Sequence, residues 1–323
     1  MAVPSNTIET FASTVIKEDL QDIIRSISPS DTPLISAIGN QTVKSTTHEW
    51  NVDSLASVGA NAQIEGDDYG MDAKNQSVKL NTNLQISAKT VGVSGTMEAV
   101  DLAGKSSELA YNLIKAGKEL KKDQEHAYVG VENAKVSGSS GTARETASLG
   151  TWYGGNRPSG GAVGNFSVGG SPSASPAGTG ATAIAGGSNR TFTEALLTAG
   201  ILKAYTEGGN PDVVMMSPSH KQTASGFTGN ASKYKDASDL KTVATVSVYE
   251  SDFGTLTFTP NRLQQANRVD ILQLDTWAVG TLRPYMVKEL ASSGDNEKRL
   301  MLIEHCLLAL SPNANYGIFN LTA

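Results

Sequence analysis

The run Ser94–Tyr128, SGTMEAVDLAGKSSELAYNLIKAGKELKKDQEHAY, carries the longest helical pattern in the chain. Leu102, Leu109 and Ala116 on one row, and Leu113, Leu120 and Ala127 on the next, recur at three- and four-residue steps and make one apolar stripe. Glu98 and Asp101 stand near its start, while Lys115, Lys118, Lys121 and Lys122 gather toward its end, the order a helix macrodipole favours. Ser94 or Thr96 is placed to accept from the first free N–H groups, and no proline interrupts the run. About thirty residues at ~1.5 Å each predict one rod of roughly 45–50 Å. Its narrow stripe calls for a sheet or another element to lie along. It reads as a spine.

Around this spine the chain has 323 residues, enough to bury a sizeable core in one elaborate domain or two ordinary ones. Its formal net charge of −6 argues against a globally basic surface for gripping nucleic acid, although a local basic face is compatible with it. A single cysteine, Cys306, excludes an internal disulfide framework and a multi-thiolate metal site. No apolar run reaches the roughly eighteen residues of a bilayer span. The N-terminus shows no basic segment followed by an apolar signal core, so the expectation is a chain made and kept in a cytoplasm-like setting.

On the N-terminal side, residues 1–41 read as an arm. A short amphipathic helix is expected through Leu20, Ile23, Ile24 and Ile27, with Pro29 and Pro33 as its breakers and Gly39 closing the segment. Residues 42–93 alternate as two strands, one through Val43 and Trp50 and one through Val78, Leu80, Leu84, Ile86 and Val91. Between them NAQIEGDDYGMDAKNQ is acidic and glycine-punctuated, and predicts an irregular tip. A lone ribbon of that length is marginal in water, so it points outward to a partner.

On the C-terminal side, Val136–Arg190 is rich in Gly, Ser, Ala and Pro and predicts a large surface loop or a domain boundary, pinned to the body by Trp152 and Tyr153. From Thr191 the pattern becomes α/β. TFTEALLTAGILKAYTEGG reads as a helix with Thr193 as cap and Gly208–Gly209 as stop, followed by a buried-type strand PDVVMMSP and further short strands. Strands around Pro284–Leu290 and Leu300–Leu310, joined by SSGDN, and a last strand Tyr316–Leu321 predict a closing sheet against which the spine lies.

Chemistry-bearing patterns are weak. AVDLAGKS, Ala99–Ser106, imitates a phosphate loop but has alanine where the first glycine belongs and lies inside the helical pattern. Gly178–Ala183, GTGATA, follows no strand and reads as linker rather than a dinucleotide fingerprint. His48, His126, His220 and His305 are scattered without a second ligand at metal spacing, and EGDD at Glu65–Asp68 lacks calcium-loop spacing. Cys306 sits in LMLIEHCLLAL and reads as a small buried apolar residue. No catalytic, cofactor or metal residues are assigned, and an enzyme is not the expectation.

Several ordered segments resemble a divergent family of tailed-bacteriophage major capsid proteins with the Hong Kong 97-type fold. They are EDLQDIIRSISPSDTPLISAIG (Glu18–Gly39), HEWNVDSL (His48–Leu55), IEG (Ile64–Gly66), VYESDFGTLTFTPNR (Val248–Arg262), LRPYMVKELASSGDNEKRLMLIEHCL (Leu282–Leu307) and NANYGIFNL (Asn313–Leu321). The resemblance implies an α+β capsid fold divided into an N-terminal arm (1–41), an extended loop (42–93), a peripheral-domain spine helix (94–135), a Gly/Ser-rich loop (136–190), an axial domain (191–275) and a peripheral sheet (276–323). It implies a virion capsid protein that self-assembles as a homo-oligomer of pentamers and hexamers into an icosahedral shell. The shell would form in the host bacterial cytoplasm and enclose double-stranded DNA without sequence-specific binding. The implied partners are a portal protein and a separate scaffolding protein, or no scaffolding protein at all; with the arm starting so close to Met1, a long fused scaffolding segment is not expected. Trp50 is the candidate inter-subunit contact, anchoring the extended loop on a neighbour. A phage tail or decoration protein is the alternative, and it has less use for so long a spine.

Overall fold

A computed structural model describes residues 31–322, save Ser57, Asp67, Tyr69, Ala73, 102–104, 155–164 and 228–246. The helix expected through Leu20–Ile27 lies outside the described residues. In chain order the elements begin with α1 (Pro33–Ala37), β1 (Gly39–Thr42), β2 (Thr47–Val52), β3 (Val78–Asn83), β4 (Gln85–Ser94), α2 (Gly95–Ala99) and α3 (Glu108–Glu125). They continue through β5 (Phe166–Ser167), β6 (Pro172–Ala174), β7 (Ala185–Gly186), α4 (Glu194–Thr206), β8 (Val213–Met216), α5 (Pro218–Ser225), β9 (Val248–Ser251), β10 (Gly254–Pro260) and β11 (Val269–Leu272). The last three are β12 (Trp277–Leu290), β13 (Asn296–Ala309) and β14 (Tyr316–Ile318).

The single rod expected over Ser94–Tyr128 is replaced by two helices, because two serines each start one. Ser94 Oγ accepts from Met97 N and opens α2, which ends where Val100 turns extended. Ser107 is itself extended (φ −152°), and its Oγ accepts from Ala110 N at 3.1 Å to open α3. The spine proper is therefore 18 residues, about 27 Å long. It closes in a π-turn over His126–Gly130. Of the expected stripe, Ala116 and Leu120 are buried and Leu109, Leu113 and Ala127 half-buried, while the polar Gln124 and Glu125 join the buried row.

Two main sheets share the load. A four-stranded sheet has the order β1–β12–β13–β4, antiparallel except for β1 on β12. The predicted terminal hairpin is thus present, and α3 lies along it: Lys89 Nζ on β4 pairs with Asp123 at 2.7 Å. Tyr285 Oη on β12 donates to Gln124 Oε1 at 2.7 Å. A six-stranded sheet has the order β5–β14–β11–β8–β10–β9. The last strand does not join the closing hairpin as expected; β14 lies between β5 and β11 in this second sheet. A core of Leu34, Tyr128, Trp152, Met215, Trp277, Leu307 and Phe319 joins residues of both sheets, and a second core under α4 fills the six-stranded one.

Pro33 also departs from the expectation of a breaker. It opens α1, where a missing N–H costs nothing. The next two free donors, Leu34 N and Ile35 N, go to Glu125 Oε1 and Oε2, each at 2.9 Å. Asn261 Nδ2 adds a third donor to Glu125 at 2.7 Å. One carboxylate thus ties the end of the arm, the end of the spine and the loop after β10.

The Gly/Ser tract is the larger correction. Instead of one surface loop, its described part holds β5, β6 and β7, and Ala147, Leu149, Trp152 and Tyr153 are fully buried. Small residues are used here for close approach. Gly180 (φ +69°) would place a Cβ 2.9 Å from Trp152 Cζ2, and Gly150 would place one 2.7 Å from Arg268 Nη1.

Arg268 stands at the centre of this packing with no exposed surface. Its Nε donates to Asp270 Oδ2 at 3.0 Å, its Nη2 to Val129 O at 3.0 Å, and its Nη1 pairs with Glu132. Tyr153 Oη donates to the other oxygen of Asp270 at 2.9 Å. Burial alone works against the guanidinium charge, but Asp270 and Glu132 outweigh it and hold Arg268 protonated more firmly than usual. Removing the cation strands two buried carboxylates. Arg268→Met is therefore expected to destabilise the unassembled subunit by about 3–5 kcal/mol in urea unfolding. Gly180→Val, which combines the left-handed backbone with a clash on Trp152, is expected to cost about 2 kcal/mol or more by the same measurement.

Candidate assembly interface

The described residues hold no group of three or more His, Cys, Asp or Glu placed for a metal ion, and no helix among them is long and apolar enough to cross a membrane. Of the histidines, His48 stacks on Trp50 and His220 binds Ala266 O at 2.6 Å through Nε2. Gly178 and Gly180, from the weak dinucleotide pattern, both have positive φ; Gly180 packs on Trp152 and Gly178 lies against Gly154. Cys306 is buried, and burial pushes its thiol up to about 12.

One contact resembles a catalytic pair that sequence spacing gave no means of finding. His305 Nε2 lies 3.0 Å from Ser87 Oγ, and its Nδ1 lies 2.7 Å from Tyr128 Oη. No carboxylate orients the imidazole. Tyr128 is buried and its phenol is pushed well above its usual range, so it keeps its proton. The trio is a neutral clamp joining β4, β13 and the turn after α3.

What the fold leaves outward is the ribbon. β2 and β3 pair antiparallel with Trp50 opposite Leu80, as the alternation predicts, but the excursion is shorter than 42–93. β1 belongs to the four-stranded sheet, and the chain re-enters that sheet at Gln85 as β4. At the root, Trp50 is half-buried, with its ring 5.6 Å from Trp152. Lys135 Nζ reinforces the root by donating to Asn81 O at 2.9 Å and to Thr179 O at 2.8 Å. The contact first made by Trp50, the residue expected to meet a neighbour, is therefore with its own chain. The tip between β2 and β3 is different. Leu55, Val58 and Met71 are 96%, 104% and 103% exposed, and Ile64 is 76% exposed. Three large apolar side chains fully exposed and a fourth mostly so on one excursion are the kind of surface that interaction sites present.

A model of the SU10 major capsid protein family matches residues 4–322. This chain belongs to that family. The capsid protein is also 27% identical over 329 residues, 91% of each chain, to the major capsid protein of Escherichia phage Phieco32. Its fold is similar to the capsid subunit of cyanophage A-1(L), with a TM-score of 0.64 at 12% identity over 98% of this chain and 100% of the other. It is likewise similar to the capsid of a native GTA particle, with a TM-score of 0.63 at 10% identity over 95% and 96% of the two chains. The mixed helix-and-sheet architecture is thus that of phage capsid subunits, and the exposed ribbon belongs to a protein whose work is assembly.

Acid sensitivity follows from the clamp. Burial lowers His305 from 6.5 to about 4, so the folded state resists protonation more than the unfolded chain does. The stabilisation is complete above pH 6.5 and is lost as pH falls from 6.5 toward 4, amounting to about 3 kcal/mol over that window. Glu125 works in the opposite sense, since burial raises its carboxyl. The informative quantity is therefore the difference between wild type and His305→Gln. Urea unfolding across pH 4–7 is expected to show that the variant has lost this part of the slope.

Proposed function

We propose that many copies of this capsid protein close into pentamers and hexamers of an icosahedral shell around double-stranded DNA, with subunits of the Hong Kong 97 type. In this reading 1–41 is the arm and 42–93 supplies the extended loop, its outward part running from β2 to β3. The spine (94–135) and the hairpin sheet within 276–323 make the peripheral domain, and 191–275, with β14 beside β11, supplies most of the axial domain. The Gly/Ser-rich segment 136–190 packs between the two bodies. The observation that carries the reading is the ribbon tip: a chain that buried Arg268 and Glu304 behind ion pairs, yet leaves Leu55, Val58 and Met71 fully exposed, has a partner surface waiting for them.

The ribbon crosses to an adjacent subunit, and Trp50 at its root transmits that hold to this chain's own core. The net charge of −6 suits a shell that confines DNA without gripping its sequence. Assembly takes place in the host bacterial cytoplasm, with a portal protein and a separate scaffolding protein as further partners.

Expressed alone, the chain is expected to give closed shells or capsomer-sized rings in light scattering and electron microscopy. A species that stays small after candidate scaffolding protein is added contradicts the proposal. Replacing Leu55, Val58 and Met71 together by serine is expected to leave subunit unfolding unchanged while lowering shell yield by roughly tenfold or more.

A further inference from the structure

The outward side of α3 carries charge that the fold does not neutralise. Lys115, Lys118 and Lys122 stand at i, i+3 and i+7, so their side chains leave the helix within an arc of about 60°. The buried Ala116, Leu120 and Gln124 lie roughly opposite, toward the four-stranded sheet, where Gly117 meets Met301 and Gln124 accepts from Tyr285. Lys115 and Lys118 are exposed and Lys122 is half-buried. The carboxylates near them are committed elsewhere. Glu108 pairs with Lys105, Asp123 pairs with Lys89, and Glu125 is buried against α1. Glu119 is half-buried and its charge acts on Lys89. Lys121 turns the other way, its Nζ donating to Ser36 Oγ at 3.4 Å. Among the described residues, none of the three lysines has an ion-pair partner.

In a chain of net charge −6, three lysines left open in one row make a local basic face. Along the helix axis the row covers about 10 Å, the rise of about three phosphates on one strand of duplex DNA. It has little of what a protein partner needs. Ile114, at the row's edge, is the large exposed apolar side chain of α3, and lysine is depleted at protein interfaces. Phosphate contacts ask for cations and no apolar centre. We infer that Lys115, Lys118 and Lys122 form a contact for the phosphate backbone of duplex DNA that does not read its sequence. The inference rests on the capsid reading above and adds which side of the subunit meets the packaged duplex. In the shell α3 faces the interior, with the four-stranded sheet behind it. A contact of three charges is weak in one subunit and gains by repetition over many copies.

The test follows fluorescence anisotropy of a labelled mixed-sequence duplex of about twenty base pairs against the full chain, at several salt concentrations. Lys115→Gln with Lys118→Gln and Lys122→Gln is expected to weaken binding at low salt by roughly tenfold or more. The same variant should lower the slope of log affinity against log salt by about 2–3. Arginine at the same three positions is expected to keep both, because it keeps the charge. Lys288 and Lys298 serve as the control: Met301 and Lys89 face α3, and strand side chains alternate, so these two lie on the sheet's other face. Lys288→Gln with Lys298→Gln is expected to leave the slope near that of wild type. A slope unchanged in the triple glutamine variant, lost in the arginine variant, or lowered equally by the control would overturn the inference. So would wild type holding poly-L-glutamate of matched charge as tightly as DNA, which would give the row to an acidic protein instead. Shell formation is scored on the same samples, so a failure of the capsid reading shows separately.

Discussion

A guanidinium with no exposed surface holds three separately coded parts of this chain in register. Arg268 immediately precedes β11, an inner strand of the six-stranded sheet. It reaches Glu132 and the Val129 carbonyl after the spine, and Asp270, which Tyr153 of the glycine-rich tract also binds. Such a cation survives burial only when its carboxylates and remaining donors are all placed. The spine's exit, the tract and the six-stranded sheet therefore have one acceptable relative position. Gly150 is part of the same constraint, since a side chain there would strike the Arg268 guanidinium. Glu125 repeats the device one helical turn earlier, using its carboxylate to cap α1 and hold Asn261.

With the body fixed in this way, the ribbon can remain open. Its root is held by the Trp50–Trp152 contact and by Lys135, while its tip has exposed apolar residues and carboxylates. A capsid subunit needs this division. In the proposed shell the body is the same in every copy, whereas the reaching element is the part left to find its support on another chain. A tip that satisfied itself on its own subunit would compete with assembly.

Much of this was legible in the sequence, with a consistent pattern to what was not. Strand alternation marked Trp50 and Leu80 for one ribbon, and the long apolar run Leu300–Leu310 marked the closing hairpin, because period-two patterns survive in any tertiary setting. The spine was over-extended because apolar spacing continued through residues where Ser107 imposes a fresh start, and a capping serine outweighs periodicity. Composition makes the glycine-rich tract look loose because it reports the absence of large side chains. It does not report that small ones let backbone pass within contact of Trp152 and Arg268. Sequence order puts the last strand beside the closing hairpin because neighbours in sequence usually pair, whereas this three-residue strand crosses to β11. Nothing in sequence spacing could have joined Ser87, Tyr128 and His305, which come from three elements.

The central claim is that the subunit's body is complete in itself and that the ribbon tip is completed by another copy. Electron cryomicroscopy of assembled particles tests it most directly. The account predicts pentameric and hexameric capsomers in which density for the ribbon tip lies against an adjacent subunit. A map in which the tip folds back on its own chain, or stands in solvent with no neighbour beneath it, would contradict the account.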